Sequence, residues 1–235
     1  MTAAEIVAEI EPLGAEGYRN ILRHHGIKDP MFGVKIEELK KIQKRVKKDY
    51  KLALDLYATG IYDAQYLAGL IADDAKMSKD DLRGWAEAAT SPAVGENAVA
   101  WVAAESNHGR ELALEWIESD NELVAVAGWG TLSGLVAIKE DSDLDMEELT
   151  ALLNRVKTTI HQQQNRVRYK MNSFVIAVGS YVESLTDLAL QTAAEYGEVT
   201  VEMGATACKV PSVPETIGKI QKRGAIGKKR KTIKC

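Results

Sequence analysis

Two stretches of the chain gather residue types that can hold phosphate groups. Residues 35–51 carry Lys35, Lys40, Lys41, Lys44, Arg45, Lys47, Lys48 and Lys51 against three acids. Ile36, Leu39, Ile42 and Val46 recur at helical spacing within them. A helix built on that stripe exposes Lys40, Lys41, Lys44, Arg45, Lys47 and Lys48, which can neutralise nucleic-acid phosphates and release their counterions. The same face also reads as a solvated surface with lysines favoured near a helix C-terminus. The second stretch is Gln164-Asn165-Arg166-Val167-Arg168-Tyr169-Lys170-Met171-Asn172, which places cations, amides and an aromatic on the first turns of a helix. Arg166, Arg168, Lys170 and Asn172 there can hold phosphate oxygens beside free helical N–H groups.

The charge distribution adds a third stretch. The net charge is −4, yet residues 219–235 carry eight cations and no acid, which leaves −12 on the other 218 residues. The segment from Gly224 contains Lys228, Lys229, Arg230 and Lys231, two glycines and few groups able to pack. It reads as a flexible basic arm that adds electrostatic capture of a polyanion.

Other chemistries lack their usual signals. The four histidines are scattered, and no HExxH, phosphate-cradling GxxxxGK[ST], dinucleotide GxGxxG or GxSxG motif is present. Neither a metal nor a nucleotide cofactor is therefore expected. Two cysteines make no disulfide framework, so a reducing, cytoplasmic compartment is the simplest expectation. The first residues show no secretory pattern. The longest uncharged run, Leu123 to Ile138, is 16 residues with Gly, Thr and Ser, which suits a buried helix better than a membrane span.

The elements that must position these groups are helical almost throughout. Met146, Leu149, Leu152, Leu153, Val156 and Ile160 form one apolar stripe, and similar stripes recur along the chain. Helices are predicted at 2–11, 14–25, 35–48, 50–59, 61–74, 78–89, 92–105, 107–119, 121–139, 145–160, 164–181, 183–196 and 214–223. Their starts are marked by Thr2…Glu5, Ser78…Asp81, Ser119…Glu122, Ser184…Asp187, Ser212…Glu215 and Ser91-Pro92. Their stops are marked by Gly26, Gly60 and Gly197. Only Val199, Val201 and Met203 alternate like a strand. Helix pairs begin near 61, 92, 121 and 164, a loose period in the range of helical repeats. The expectation is one all-α domain over residues 1–223, an α-solenoid of HEAT-like antiparallel pairs, followed by the basic tail 224–235. A compact irregular bundle is the alternative.

Gly33-Val34-Lys35-Ile36-Glu37-Glu38-Leu39-Lys40-Lys41-Ile42 resembles the opening signature of the DNA alkylation repair family. So do Leu52 through Ala64, then Leu67-Ala68-Gly69-Leu70-Ile71-Ala72-Asp73, with Met77 and Trp85 where that family has Met and Trp. The similarity covers roughly residues 30–90 and continues faintly through Val167–Tyr181. It implies a HEAT-like solenoid whose concave basic face grips duplex DNA. In active members it implies an N-glycosylase releasing cationic alkylated purines such as 3-methyladenine and 7-methylguanine. Such an enzyme holds the cationic nucleotide against aromatic rings beside a carboxylate, where negative charge and π faces stabilise the developing cation.

The sequence departs from that pattern at the site. Pro92 stands at the family's Trp position and Ala93 at the first Asp, which leaves Glu96 as the acid nearest the essential carboxylate. Residues 121–128, where an Arg is expected, contain none, while Phe174 matches the later aromatic. Three readings follow: a DNA-binding protein whose glycosylase activity is doubtful, a glycosylase using Glu96, and a protein-binding helical scaffold. The DNA contacts expected on the first are Lys41, Lys44, Arg45, Lys48, Arg166, Arg168, Lys170, Asn172, Phe174, Lys228, Lys229, Arg230 and Lys231.

Overall fold

Local start and stop signals set most of the helices. The hydroxyls of Thr2 and Ser78 accept from the N–H groups of Glu5 and Asp81, whose carboxylates accept in return from the two cap amides. Ser212 accepts from the Glu215 N–H at 3.4 Å. Ser119 and Ser184 are not caps: Asn121 takes the Leu123 N–H, and Ser184 lies inside a 3₁₀ turn. Gly26, Gly60 and Gly197 end their helices at φ of 81°, 67° and 72°.

The computed structural model describes residues 1–234. The helices are α1 Ala3–Ile10, α2 Glu16–His24, α3 Ile36–Val46, α4 Tyr50–Tyr57, α5 Tyr62–Ile71, α6 Lys79–Glu87, α7 Ala100–Glu105, α8 Gly109–Trp116, α9 Glu122–Ile138, α10 Met146–Thr159, α11 Asn165–Tyr181, α12 Thr186–Tyr196 and α13 Val213–Lys222. A π-helical turn, Val94–Val99, leads into α7. The basic helix is shorter than the expected 35–48: it stops at Val46, and Lys47 turns to φ 65°. The described residues contain no strand, so the alternating Val199, Val201 and Met203 belong to an irregular loop between α12 and α13. Among the described residues no helix is long and apolar enough to cross a membrane.

The pairs stack as an α-solenoid. One layer holds α4, α6, α8, α10 and α12; the other holds α5, α7, α9, α11 and α13. Helix α9 packs against α7, α8 and α11 and is buried on nearly every side, as its all-round apolar sequence requires. Gly69 lets α5 lie on the π turn, since a Cβ there would sit 2.6 Å from that of Ala98. In the first layer, successive repeats are joined by ion pairs: Lys79–Glu111 at 2.6 Å, Arg83–Glu115 at 2.7 Å, Arg110–Glu148 at 2.6 Å, Arg155–Glu118, and Lys157–Glu195 at 3.0 Å. Bonds from Lys79, Arg83 and Lys157 hold the carboxyls of Glu111, Glu115 and Glu195 below the usual range. A lowered folded pKa gives stability that is complete above the ordinary glutamate value of about 4.3 and is lost as pH falls through the lower, folded value. Melting scans from neutral to about pH 2.5 should show Tm falling below about pH 4, and Arg83→Gln with Lys157→Gln should flatten that limb.

The segment after Arg223 is not the free arm that its composition predicts. The Gly227 N–H donates to the Ser180 carbonyl at 3.0 Å and the Arg230 N–H to that of Ala137 at 2.7 Å. Lys229 reaches the Val136 carbonyl at 3.1 Å and Asp141 at 2.7 Å. The Thr232 hydroxyl and the Ile233 N–H donate to Glu105. Lys234 reaches the Ala72 carbonyl at 3.3 Å and the buried Asp74 at 2.5 Å. Ile233 is buried against Gly134, where a Cβ would lie 2.5 Å from its Cδ1. The segment thus forms a strap across the C-terminal ends of α11, α9, α7 and α5. Those ends present orphan carbonyls and partial negative charge on an acidic body, which is where a cationic chain is most stable.

Candidate nucleic-acid interface

The start of α11 is pinned against α9 and the π turn. The Arg166 N–H donates to Glu122 at 2.7 Å, and its guanidinium lies 3.2 Å from Glu96. Lys170, one turn on, lies 3.8 Å from the same carboxylate. The Arg166 guanidinium also stacks 4.7 Å from the centroid of Tyr169. Burial and then the Glu96 charge push the Tyr169 hydroxyl above its ordinary pKa. The Glu96 and Lys170 side chains are each 14% exposed and that of Arg166 19%. A carboxylate and an aromatic face do meet here, but the cation between them is the chain's own arginine. Glu96 is thus engaged with two resident cations.

The other expected contacts divide into three groups. On α3, Lys41 pairs with Glu38 at 2.7 Å and Arg45 with Glu9 at 2.6 Å, and just beyond it Lys48 pairs with Asp74 at 2.9 Å. Among the described residues, Lys40, Lys44 and Lys47 have no carboxylate partner. On the strap, Lys228, Arg230 and Lys231 are exposed and equally unpaired, while Lys229 turns inward to Asp141. On α11, Arg168 is half-buried and bonds Asn165 at 3.4 Å.

Two expected contacts are corrected. Asn172 is buried; it donates to the Pro211 carbonyl at 2.9 Å and accepts from the Tyr196 hydroxyl at 2.8 Å, so it ties the α12–α13 loop to α11. Phe174 is 0% exposed, and its ring lies 5.3 Å from that of Trp129 in the core. Neither side chain is available to a nucleic acid. The structure brings Glu96, Arg166 and Lys170 together, and it brings Lys48 and the strap together at Asp74. The α3 and α11 groups remain apart, since α3 packs on α5 and α11 on α9.

Asp74 and Glu105 escaped the sequence reading, and Tyr169 entered it as the aromatic of its stretch but not as a partner of Arg166. Tyr169 was visible as a neighbour of Arg166 at i+3 on a helix; nothing local marks the other two. Among the described residues no group of three or more His, Cys, Asp or Glu is placed to hold a metal ion.

The match to known proteins decides the lineage. Residues 4–208 match the family described as DNA alkylation repair enzyme. The chain belongs to that family. An uncharacterized protein of Listeria innocua and one of Listeria monocytogenes are each 31% identical over 231 residues, 95% of this chain and 99% of theirs. One solved structure covers all of this chain and all of its own at 34% identity and a TM-score of 0.92. It is described as a new family of proteins related to the HEAT-like repeat DNA glycosylases with affinity for branched DNA structures. The HEAT-like solenoid expected of a DNA alkylation repair family member is therefore the fold of this chain.

Proposed function

We propose that this member of the DNA alkylation repair family binds DNA through phosphate contacts, prefers branched DNA, and does not excise alkylated bases. The observation that carries the reading is where its unpaired cations lie. Between successive repeats, Lys79, Arg83, Arg110, Arg155 and Lys157 are each matched by an acid. Free cations gather instead at Lys40, Lys44 and Lys47 and at Lys219, Lys222, Arg223, Lys228, Arg230 and Lys231, on a body that is otherwise strongly acidic. Cations kept clear of internal partners are suited to a polyanion. The solved relative's affinity for branched DNA supports the preference for branches. The second-helix layer is the concave, DNA-facing side on this reading, with Arg166, Arg168 and Lys170 at one of its edges. Glu96, already paired with Arg166 and Lys170, argues against base excision.

The test has two arms. Binding to a linear duplex and a four-way junction is measured across salt, and free base is measured after incubation with methylated duplex. The expected result is steeply salt-dependent binding, tighter on the junction, with release of 7-methylguanine and 3-methyladenine at background. Robust release that vanishes in Glu96→Gln with binding intact would establish an N-glycosylase instead. Failure to bind either DNA would leave a protein-binding scaffold.

A further inference from the structure

We infer that the C-terminal strap, together with the end of α13, is a second duplex-binding edge that holds one arm of a branched DNA while the concave face holds another. This rests on the reading of the chain as a branched-DNA binder. Lys219, Lys222, Arg223, Lys228, Arg230 and Lys231 are exposed, and none has a carboxylate within ion-pair distance among the described residues. No acid occurs from residue 219 onward. These cations stand on a fixed support. Lys229, Thr232, Ile233 and Lys234 anchor the strap to the ends of α9, α7 and α5, and the Gly227 and Arg230 amides bond the carbonyls that end α11 and α9. The side chains of Lys228, Arg230 and Lys231 take no part in that anchoring, so the strap divides into residues that hold it and residues left outside.

The placement separates this edge from the cations at the start of α11. The strap begins at the C-terminal end of α11, where Gly227 meets Ser180, whereas Arg166, Arg168 and Lys170 sit at its beginning. A helix of 17 residues is roughly 25 Å long at 1.5 Å per residue, so the two groups of cations lie on opposite edges of the helical layer. A linear duplex along the concave face offers its phosphates mainly to one track. A branched DNA offers a second backbone, and a rigid row of cations engages it with less loss of conformational freedom than a loose arm would.

The test is the triple variant Lys228→Gln, Arg230→Gln, Lys231→Gln. None of these side chains packs, so its melting temperature should match that of the unaltered protein. If the edge holds a second arm, junction affinity near 150 mM salt falls on the order of 100-fold, and the slope of log K against log salt falls by about 2–3. Linear-duplex affinity then changes less than about threefold. Equal losses on both substrates would overturn the inference by placing the strap in a single-duplex footprint, as would unchanged affinity for both. Failure of the unaltered protein to bind any DNA would instead defeat the parent reading, which separates the two.

Discussion

Phe174→Ala lowers the stability of the fold by about 3–5 kcal/mol, the usual cost of emptying a buried aromatic site. The ring is fully buried beside Trp129, in the middle of the α9–α11 contact, and removing it opens a cavity that two tightly packed helices cannot close. Equilibrium denaturant unfolding measures the loss. Junction affinity under strongly native conditions should remain within about twofold, because the ring never meets solvent. A protein of unchanged stability with lost DNA binding would show that Phe174 leaves the core to contact the ligand.

Replacing Lys40, Lys44 and Lys47 together by Gln lowers DNA affinity on the order of 100-fold near 150 mM salt, as three lost phosphate contacts would. The matched control is Lys41→Gln, Arg45→Gln, Lys51→Gln, which changes net charge by the same amount. Those three cations are already paired with Glu38, Glu9 and Asp55, and their removal should weaken binding only several-fold. Titrations by anisotropy distinguish the two. Equal losses would mean that the total charge of residues 40–51, rather than which of their cations are free, governs capture.

The helices were legible because their signals are local. Capping pairs at Thr2 and Ser78, glycine stops and apolar stripes place the elements within a few residues of the observed ends. The basic helix overran because lysines do not announce a left-handed residue, and Lys47 is one. Phe174 was misread although its stripe was available: Val167, Met171, Phe174 and Val178 follow helical spacing, and all are buried. The pairing of Glu96 with Arg166 was illegible, since 70 residues separate them and the contact exists only once α9 lies between. The strap was illegible for a different reason. Its partners are mainly backbone carbonyls at helix ends, which no side-chain pattern records.

That strap also changes what kind of polymer the solenoid is. A stack of repeats touching only their neighbours behaves as a one-dimensional chain, able to fray from either end and to open locally in the middle. The Lys234–Ala72 bond joins residues 162 apart, and the strap touches α11, α9 and α7 on the way. The repeats in between can no longer separate one by one without first releasing the strap. Local fraying is thereby coupled to global unfolding, and slow hydrogen exchange should extend evenly from α5 to α11 rather than peak at α9 and decay outward. The closure entropy of so long a loop makes the strap a late-forming contact, so the unfolded chain meets its repeats first and gains cooperativity last.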